Sequence, residues 1–276
     1  MFRSTNGAKI RSGAGCAALL LACAAALAQE QPPAPSAAPP PVLENLGKPM
    51  AVPFRCTEDD IQWAGLTCSE NDPCAVYLEI AAVGTTGDRI FAVGNLHAAA
   101  MTLYSVLLAS DNAGRTWSEP HERIRGAGLD RVQLADAENG WISGEVVSPL
   151  PQDPFLLITS DAGKSWRRQP LFGESRMGSI QQFFFRDKSN GSLIFDRGRG
   201  NETGRYQLYE SQDGGASWNI KEESDKPPLL KRGPEPSDWR VRADAATQAF
   251  QIERRSGERW TRVAAFAVKA GECRPQ

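Results

Sequence analysis

The sequence is poor in the side chains most used for acid–base chemistry near neutral pH. Its 276 residues include two histidines, His97 and His121, and four tyrosines, Tyr77, Tyr104, Tyr206 and Tyr209. A histidine-based triad therefore has few options, and both histidines lie in stretches that read as loops. There is no G-x-S-x-G elbow, no HExxH and no glycine-rich phosphate loop. There is no CxxC pair, and both histidines are far from every cysteine in sequence, which argues against a zinc site. Past residue 28 no apolar run approaches the ~18 residues a membrane-crossing helix needs. A basic excess is missing too. The net charge of −2 becomes −5 without the first 28 residues, which carry Arg3, Lys9 and Arg11 and no acid. That is the wrong sign for a generic nucleic-acid binder. No cofactor is expected.

What is present first indicates a compartment. Lys9 and Arg11 precede an apolar run over residues 17–28, and Ala26-Leu27-Ala28 offers the small residues a signal peptidase accepts. Residues 1–28 are thus expected to be a signal peptide, with export to the periplasm or beyond. A rival reading takes Leu20-Leu21-Ala22-Cys23 as a lipobox, which would make Cys23 a lipid anchor to the envelope. Residues 29–53 hold eight of the 19 prolines, so 29–52 is read as an extended linker before a folded domain over 53–276. With 41% hydrophobic residues and a mean hydropathy of −0.39, that domain has a globular composition. It holds Cys56, Cys68, Cys74 and Cys273, an even count that in an oxidising compartment points to two disulfides with three connectivities open. Three cysteines crowd the start of the domain and one lies near the chain end. If all four pair, one bridge must tie the two ends together. The favoured pairs are Cys68–Cys74 and Cys56–Cys273.

The chain repeats itself. Ser110-x-Asn112-x-Gly114-x-Thr116-Trp117 recurs as Thr159-x-Asp161-x-Gly163-x-Ser165-Trp166 and as Ser211-x-Asp213-x-Gly215-x-Ser217-Trp218. A worn fourth copy keeps Gly257 and Trp260 and has Arg255 in place of the acid. The tryptophans are 49, 52 and 42 residues apart, a period typical of propeller blades. Each copy makes sense as a hairpin turn. The acid or Asn accepts backbone N–H bonds, Gly supplies a positive φ, the hydroxyls tie the loop back, and the indole is buried between sheets. Strand-like segments run into the turns at 103–109, 155–158 and 206–209 and out of them at 117–119, 166–168 and 218–221. Upstream pairs are expected at 77–82 with 90–93, 131–135 with 141–147, and 181–185 with 193–195. The last unit is expected at 239–243, 249–253 and 260–265, and almost no helix is expected. The fold class that follows is all-β, a small propeller-like array of about four four-stranded blades.

These copies resemble the Asp-box (BNR) repeat of sialidase-like β-propellers. Asp136-x-x-x-Gly140-Trp141-x-x-Gly144, followed by the copy that starts at Thr159, is similar to the repeat of photosystem II stability/assembly factor-like propellers. The resemblance covers about residues 75–265. It implies structural turns away from the mouth where ligands bind, and a protein-assembly partner. Such propellers usually have six or seven blades, and four units are visible here. The array is therefore a small closed ring, a partial propeller completed by the N-terminal segment, or a half that dimerises. A sialidase-like enzyme would need an arginine triad, a Tyr–Glu pair and an Asp acid/base. Pro53-Phe54-Arg55-Cys56 is a poor match to the N-terminal arginine motif, and all four tyrosines fall in strands.

If the repeated turns mark one end of the array, the loops at the other end hold Arg123, Arg125, Arg176, Arg197 and Arg199. Arginine is the residue expected where a carboxylate, a phosphate or an acidic surface is gripped. The plainer reading of the same residues is solvated charge beside Glu122, Glu174, Asp196 and Glu202. The sequence thus points to an exported, non-catalytic binding or assembly module whose partner is an envelope protein or an anionic glycan. Two other classes stay open, a glycan-directed hydrolase or lectin and a structural envelope lipoprotein.

Overall fold

The computed structural model describes residues 41–275 apart from 100, 148, 199–203 and 231–236. Residues 1–40, which include the expected signal peptide and Cys23, and Arg199 lie outside the described residues. The strands of the described chain all pair antiparallel, and one short helix accompanies them. It opens with β1 (Leu43–Glu44) and α1 (Glu58–Ala64). The first sheet contains β2 (Cys74–Thr86), β3 (Arg89–His97) and β4 (Thr102–Ser110), and β5 (Thr116–Trp117) returns beside β4 through an Ala109–Ser118 bridge. The second is β6 (Ala127–Leu134), β7 (Gly140–Val147), β8 (Pro151–Thr159) and β9 (Arg167–Pro170). The third is β10 (Ser179–Phe185), β11 (Gly191–Asp196), β12 (Tyr206–Ser211) and β13 (Asn219–Ser224). The fourth has three strands, β14 (Trp239–Asp244), β15 (Ala249–Ser256) and β16 (Arg259–Ala267). The last strand, β17 (Lys269–Cys273), pairs with β2 in the first sheet.

Why these segments form strands follows from their two-residue alternation, which gives each sheet two apolar faces to bury. Three buried clusters join the sheets in series. Ile252, Ala264 and Phe266 of the fourth sheet pack with Ile80, Ile90, Leu108 and Trp117 of the first. Phe91, Val93 and Leu107 of the first pack with Leu129, Phe155 and Trp166 of the second. Trp141 and Leu156 of the second pack with Phe183, Phe185 and Leu193 of the third. Trp141 lies flat on Phe185, with ring centroids 3.8 Å apart. The order in space is therefore fourth, first, second, third, a propeller-like array of blades as expected. Among the described residues no buried cluster joins the third sheet to the fourth.

The ends of the chain clasp the fourth sheet to the first. Leu43 pairs with Trp117, Met50 bridges Phe266, and Asn45 Nδ2 donates to the carbonyls of Gly114 and Val263, each at 2.8 Å. Residues 43–52 of the segment read as a linker thus contribute to the array, and Met50 and Val52 are buried. The favoured disulfides are both present, Cys56–Cys273 and Cys68–Cys74. The worn fourth copy occupies a different place from the other three. Gly257 and Glu258 form a two-residue hairpin between β15 and β16, closed by a Ser256–Arg259 pair. Without an acid, Arg255 Nε bonds the Gly257 carbonyl instead. The helix α1 is an addition to the sequence expectation.

Candidate functional site

The three intact motif copies join β4 to β5, β8 to β9 and β12 to β13, the same corner of three successive sheets. The same bonds recur in each. The hydroxyl of Ser110, Thr159 or Ser211 accepts the N–H of Gly114, Gly163 or Gly215 at 2.8–2.9 Å. It donates to Asn112, Asp161 or Asp213, whose oxygen accepts the N–H of Thr116, Ser165 or Ser217 at 2.9–3.0 Å. The indoles of Trp117, Trp166 and Trp218 donate to the glycine carbonyls at 3.1–3.2 Å. Each corner is also tied to the neighbouring hairpin, with Ala113 N–H to Asp88 O, Ala162 N–H to Glu138 O and Gly214 N–H to Ser189 O. The Ser165 and Ser217 side chains, followed by their backbone N–H groups, hold Asp161 and Asp213 down to about 2. These groups bond one another within each corner.

The loops that carry arginines divide into two kinds. Arg123 is held by Glu119, with Nη2–Oε1 at 2.6 Å, and donates to the Pro53 carbonyl at 2.9 Å. Arg125 reaches Asp59 at 2.7 Å and Asp60 at 3.1 Å, bonds Tyr104 and lies over the Trp63 ring. Asp60 is 2% exposed and caps α1 through Thr57. Burial would raise its carboxyl, but hydrogen bonds from Tyr104 and Thr57 outweigh that and hold it low. Arg123 and Arg125 therefore fasten the N-terminal segment to the first sheet.

Arg176 and Arg197 are placed together. They line an open cleft of about 490 Å³ with Met177, Phe195, Gln207, Ile220 and Glu223. Arg176 lies over Phe172 at 4.5 Å, and both guanidinium charges bear on Tyr209, whose hydroxyl burial nevertheless raises. Tyr209 donates to Gln207 at 2.9 Å, and Gln207 donates to Glu223 at 2.5 Å, so the polar floor is fixed. Arg197 also donates to the Gly204 carbonyl at 3.4 Å. The described lining holds two cations and one acid, and Met177 and Ile220, each about half exposed, supply an apolar lip. Such a cleft is equipped to take a carboxylate attached to an apolar group.

A second polar group was missed in the sequence. Asp130 of β6 and Glu145 of β7 are half-buried beside Glu79 of β2. Burial first, and Asp130 second, push Glu145 up to about 8, against an opposing bond from the Ile180 N–H. Burial also raises Asp130, with Arg131 opposing and Glu79 adding to it. The available signal was an acid inside an otherwise apolar strand. Among the described residues no group of three or more His, Cys, Asp or Glu is placed to hold a metal ion.

Fold and cleft together define a propeller-like all-β array with a basic cleft on one of its sheets. No family model and no curated protein matches the chain. Among solved structures it is similar to one described as YCF48 bound to D1 peptide, at 19% identity and a TM-score of 0.39, over 69% of this chain and 54% of that one. YCF48 from Cyanidioschyzon merolae matches at 17% identity and a TM-score of 0.36, over 69% and 56%. A GH74 xyloglucanase from Xanthomonas campestris matches at 20% identity and a TM-score of 0.36, over 50% of this chain and 19% of that one. The match spans about half the length of the YCF48 chains and a fifth of the xyloglucanase.

Proposed function

We propose that this chain is an exported, non-catalytic binding or assembly module on an Asp-box (BNR) propeller, and that Arg176 and Arg197 grip a carboxylate of its partner. The observation that carries the reading is the meeting of these two arginines, from separate loops, at one open cleft beside Tyr209. A planar guanidinium fork binds a carboxylate through two parallel N–H bonds. The apolar lip of Met177 and Ile220 favours an acidic segment of an envelope protein over an anionic glycan. In this reading Arg123 and Arg125 position the N-terminal segment. The test is fluorescence anisotropy with a labelled, acetylated octapeptide of alternating Glu and Leu. Saturable binding is expected, weakened roughly tenfold or more in Arg176→Ala/Arg197→Ala and unchanged in Lys164→Ala, at a corner. Equal binding by all three proteins overturns the reading.

The raised carboxyl of Glu145 beside Asp130 favours one second reading, a glycan-directed hydrolase, because paired carboxyls with one kept protonated are the usual means of glycosidic cleavage. Release of reducing ends from polygalacturonate, lost in Glu145→Gln, is the corresponding assay.

A further inference from the structure

We infer that two copies of this chain close a single array, the outer face of the β10–β13 sheet of each copy docking on the outer face of the β14–β16 sheet of the other. The inference is independent of the cleft of Arg176 and Arg197. It begins with the connections. Sheet-to-sheet links run over 118–126 and 171–178, but the link from β13 to β14 runs over 225–238 and contains Pro227 and Pro228. The third and fourth sheets, consecutive in sequence, share no buried cluster among the described residues.

The two faces left over complement one another. On the third sheet, alternation puts Phe184 and Leu208 on the side away from Phe183, Phe185 and Tyr209. They line an open cleft of about 580 Å³ with Leu229, which is 91% exposed, and with Glu210 and Glu222. On the fourth sheet, Val241, Ile252 and Phe266 face the first sheet, and alternation puts Arg240, Arg242, Arg255 and Arg262 on the other side. Of the two acids on that side, Asp244 accepts from Gln251, and Glu253 already pairs with Arg240 at 2.7 Å and Arg242 at 2.9 Å. Arg240 also covers the Trp260 ring at 4.1 Å. One face sets the apolar side chains of Phe184, Leu208 and Leu229 among Glu210, Glu222 and Arg186, with Glu210 paired to Lys221 at 3.5 Å. The other presents arginine stems and charges over an aromatic ring, a surface suited to both features.

A second copy is the occupant that supplies both missing neighbours at once. The contact is heterologous, third sheet against fourth, and made twice about a two-fold axis it closes without an open end. A face four strands wide and six residues long covers roughly 400 Å². The three-stranded face covers roughly 300 Å², so the two pairs of faces bury roughly 1400 Å², within the range of stable interfaces.

Sedimentation equilibrium on the mature protein tests this. A dimer is expected. Glu210→Arg/Glu222→Arg and Arg255→Glu/Arg262→Glu should each weaken it roughly tenfold or more, with circular dichroism confirming that both variants are folded. An equimolar mixture of the two variants should restore the dimer, because reversed faces then meet reversed faces and native faces meet native ones. A wild-type monomer at every concentration, a dimer indifferent to both variants, weakening without rescue on mixing, or open-ended growth would each overturn the inference.

Discussion

At the scale of single residues, Glu145 makes folding sensitive to mild alkali. Burial and Asp130 raise its carboxyl from an ordinary 4.5 to about 8. The folded protein then holds a proton that the unfolded chain has released, so this contribution is complete below about 4.5 and lost as the pH rises through 8. Urea unfolding should show stability falling by roughly 1–3 kcal/mol between pH 5 and pH 9. Glu145→Gln should flatten that slope, and an unchanged slope would contradict the assignment. The corner acids work in the opposite direction. Asp161 and Asp213 are lowered from 3.8 to about 2, so their contribution is present above 3.8 and lost as the pH falls through 2. Since Asn112 already fills the same place in the first corner, Asp161→Asn should keep the turn and remove its acid sensitivity, whereas Asp161→Ala should lower the melting temperature at every pH. Gly163 is constrained by both conformation and contact, with φ +75° and an added Cβ 2.3 Å from the Phe91 ring. Gly163→Ala is expected to cost about 2–4 kcal/mol in thermal unfolding. Gly173→Ala, with open space around it, should have little effect.

At the scale of elements, the readable parts are those whose cause is local. The corners were legible because hydroxyl, acid or Asn, glycine and tryptophan satisfy one another within eight residues. The strands around them followed from alternation. Helix α1 was not legible by period, since seven residues give two turns. Its signal was the capping box of Thr57 and Asp60 with Gly65 as its left-handed stop, and its position depends on Arg125, 65 residues from Asp60. Arg125→Ala should therefore speed amide exchange over residues 58–64 while leaving the corners protected; uniform protection would show that the ion pair does not hold the helix. Strand β17 was missed for a related reason, because its partner β2 lies almost the whole domain away. The Cys56–Cys273 bridge holds that closure across 217 residues, and Cys68–Cys74 spans six. On loop-closure entropy the first contributes about 5 kcal/mol and the second about 2. The Cys56→Ala/Cys273→Ala protein should consequently unfold at lower denaturant than Cys68→Ala/Cys74→Ala, and the reverse order would contradict the role given to the chain ends.

At the scale of the molecule, the number of units was readable and their neighbours were not. A period counts sheets, but which sheet packs on which depends on buried side chains far apart in sequence, such as Trp117 against Phe266. The candidate site was legible in part for the same reason. Charge and loop position singled out Arg176 and Arg197 together with Arg123 and Arg125, and only distant partners, Pro53 and Asp60, show that the latter pair turns toward the N-terminal segment. Asp130 and Glu145 went unnoticed because their burial arises where separate sheets meet. The central claim is that partners meet the cleft on the third sheet and avoid the corners. It is tested most directly by photocrosslinking the full chain in a whole-cell extract, with the reactive side chain placed at Ile220 on the cleft or at Leu46, exposed beside the corner that Asn45 binds. A partner crosslinked from position 220, absent from position 46 and lost on Arg176→Ala/Arg197→Ala, is the predicted result. The same partner captured equally from both positions, or retained without the arginines, would contradict it.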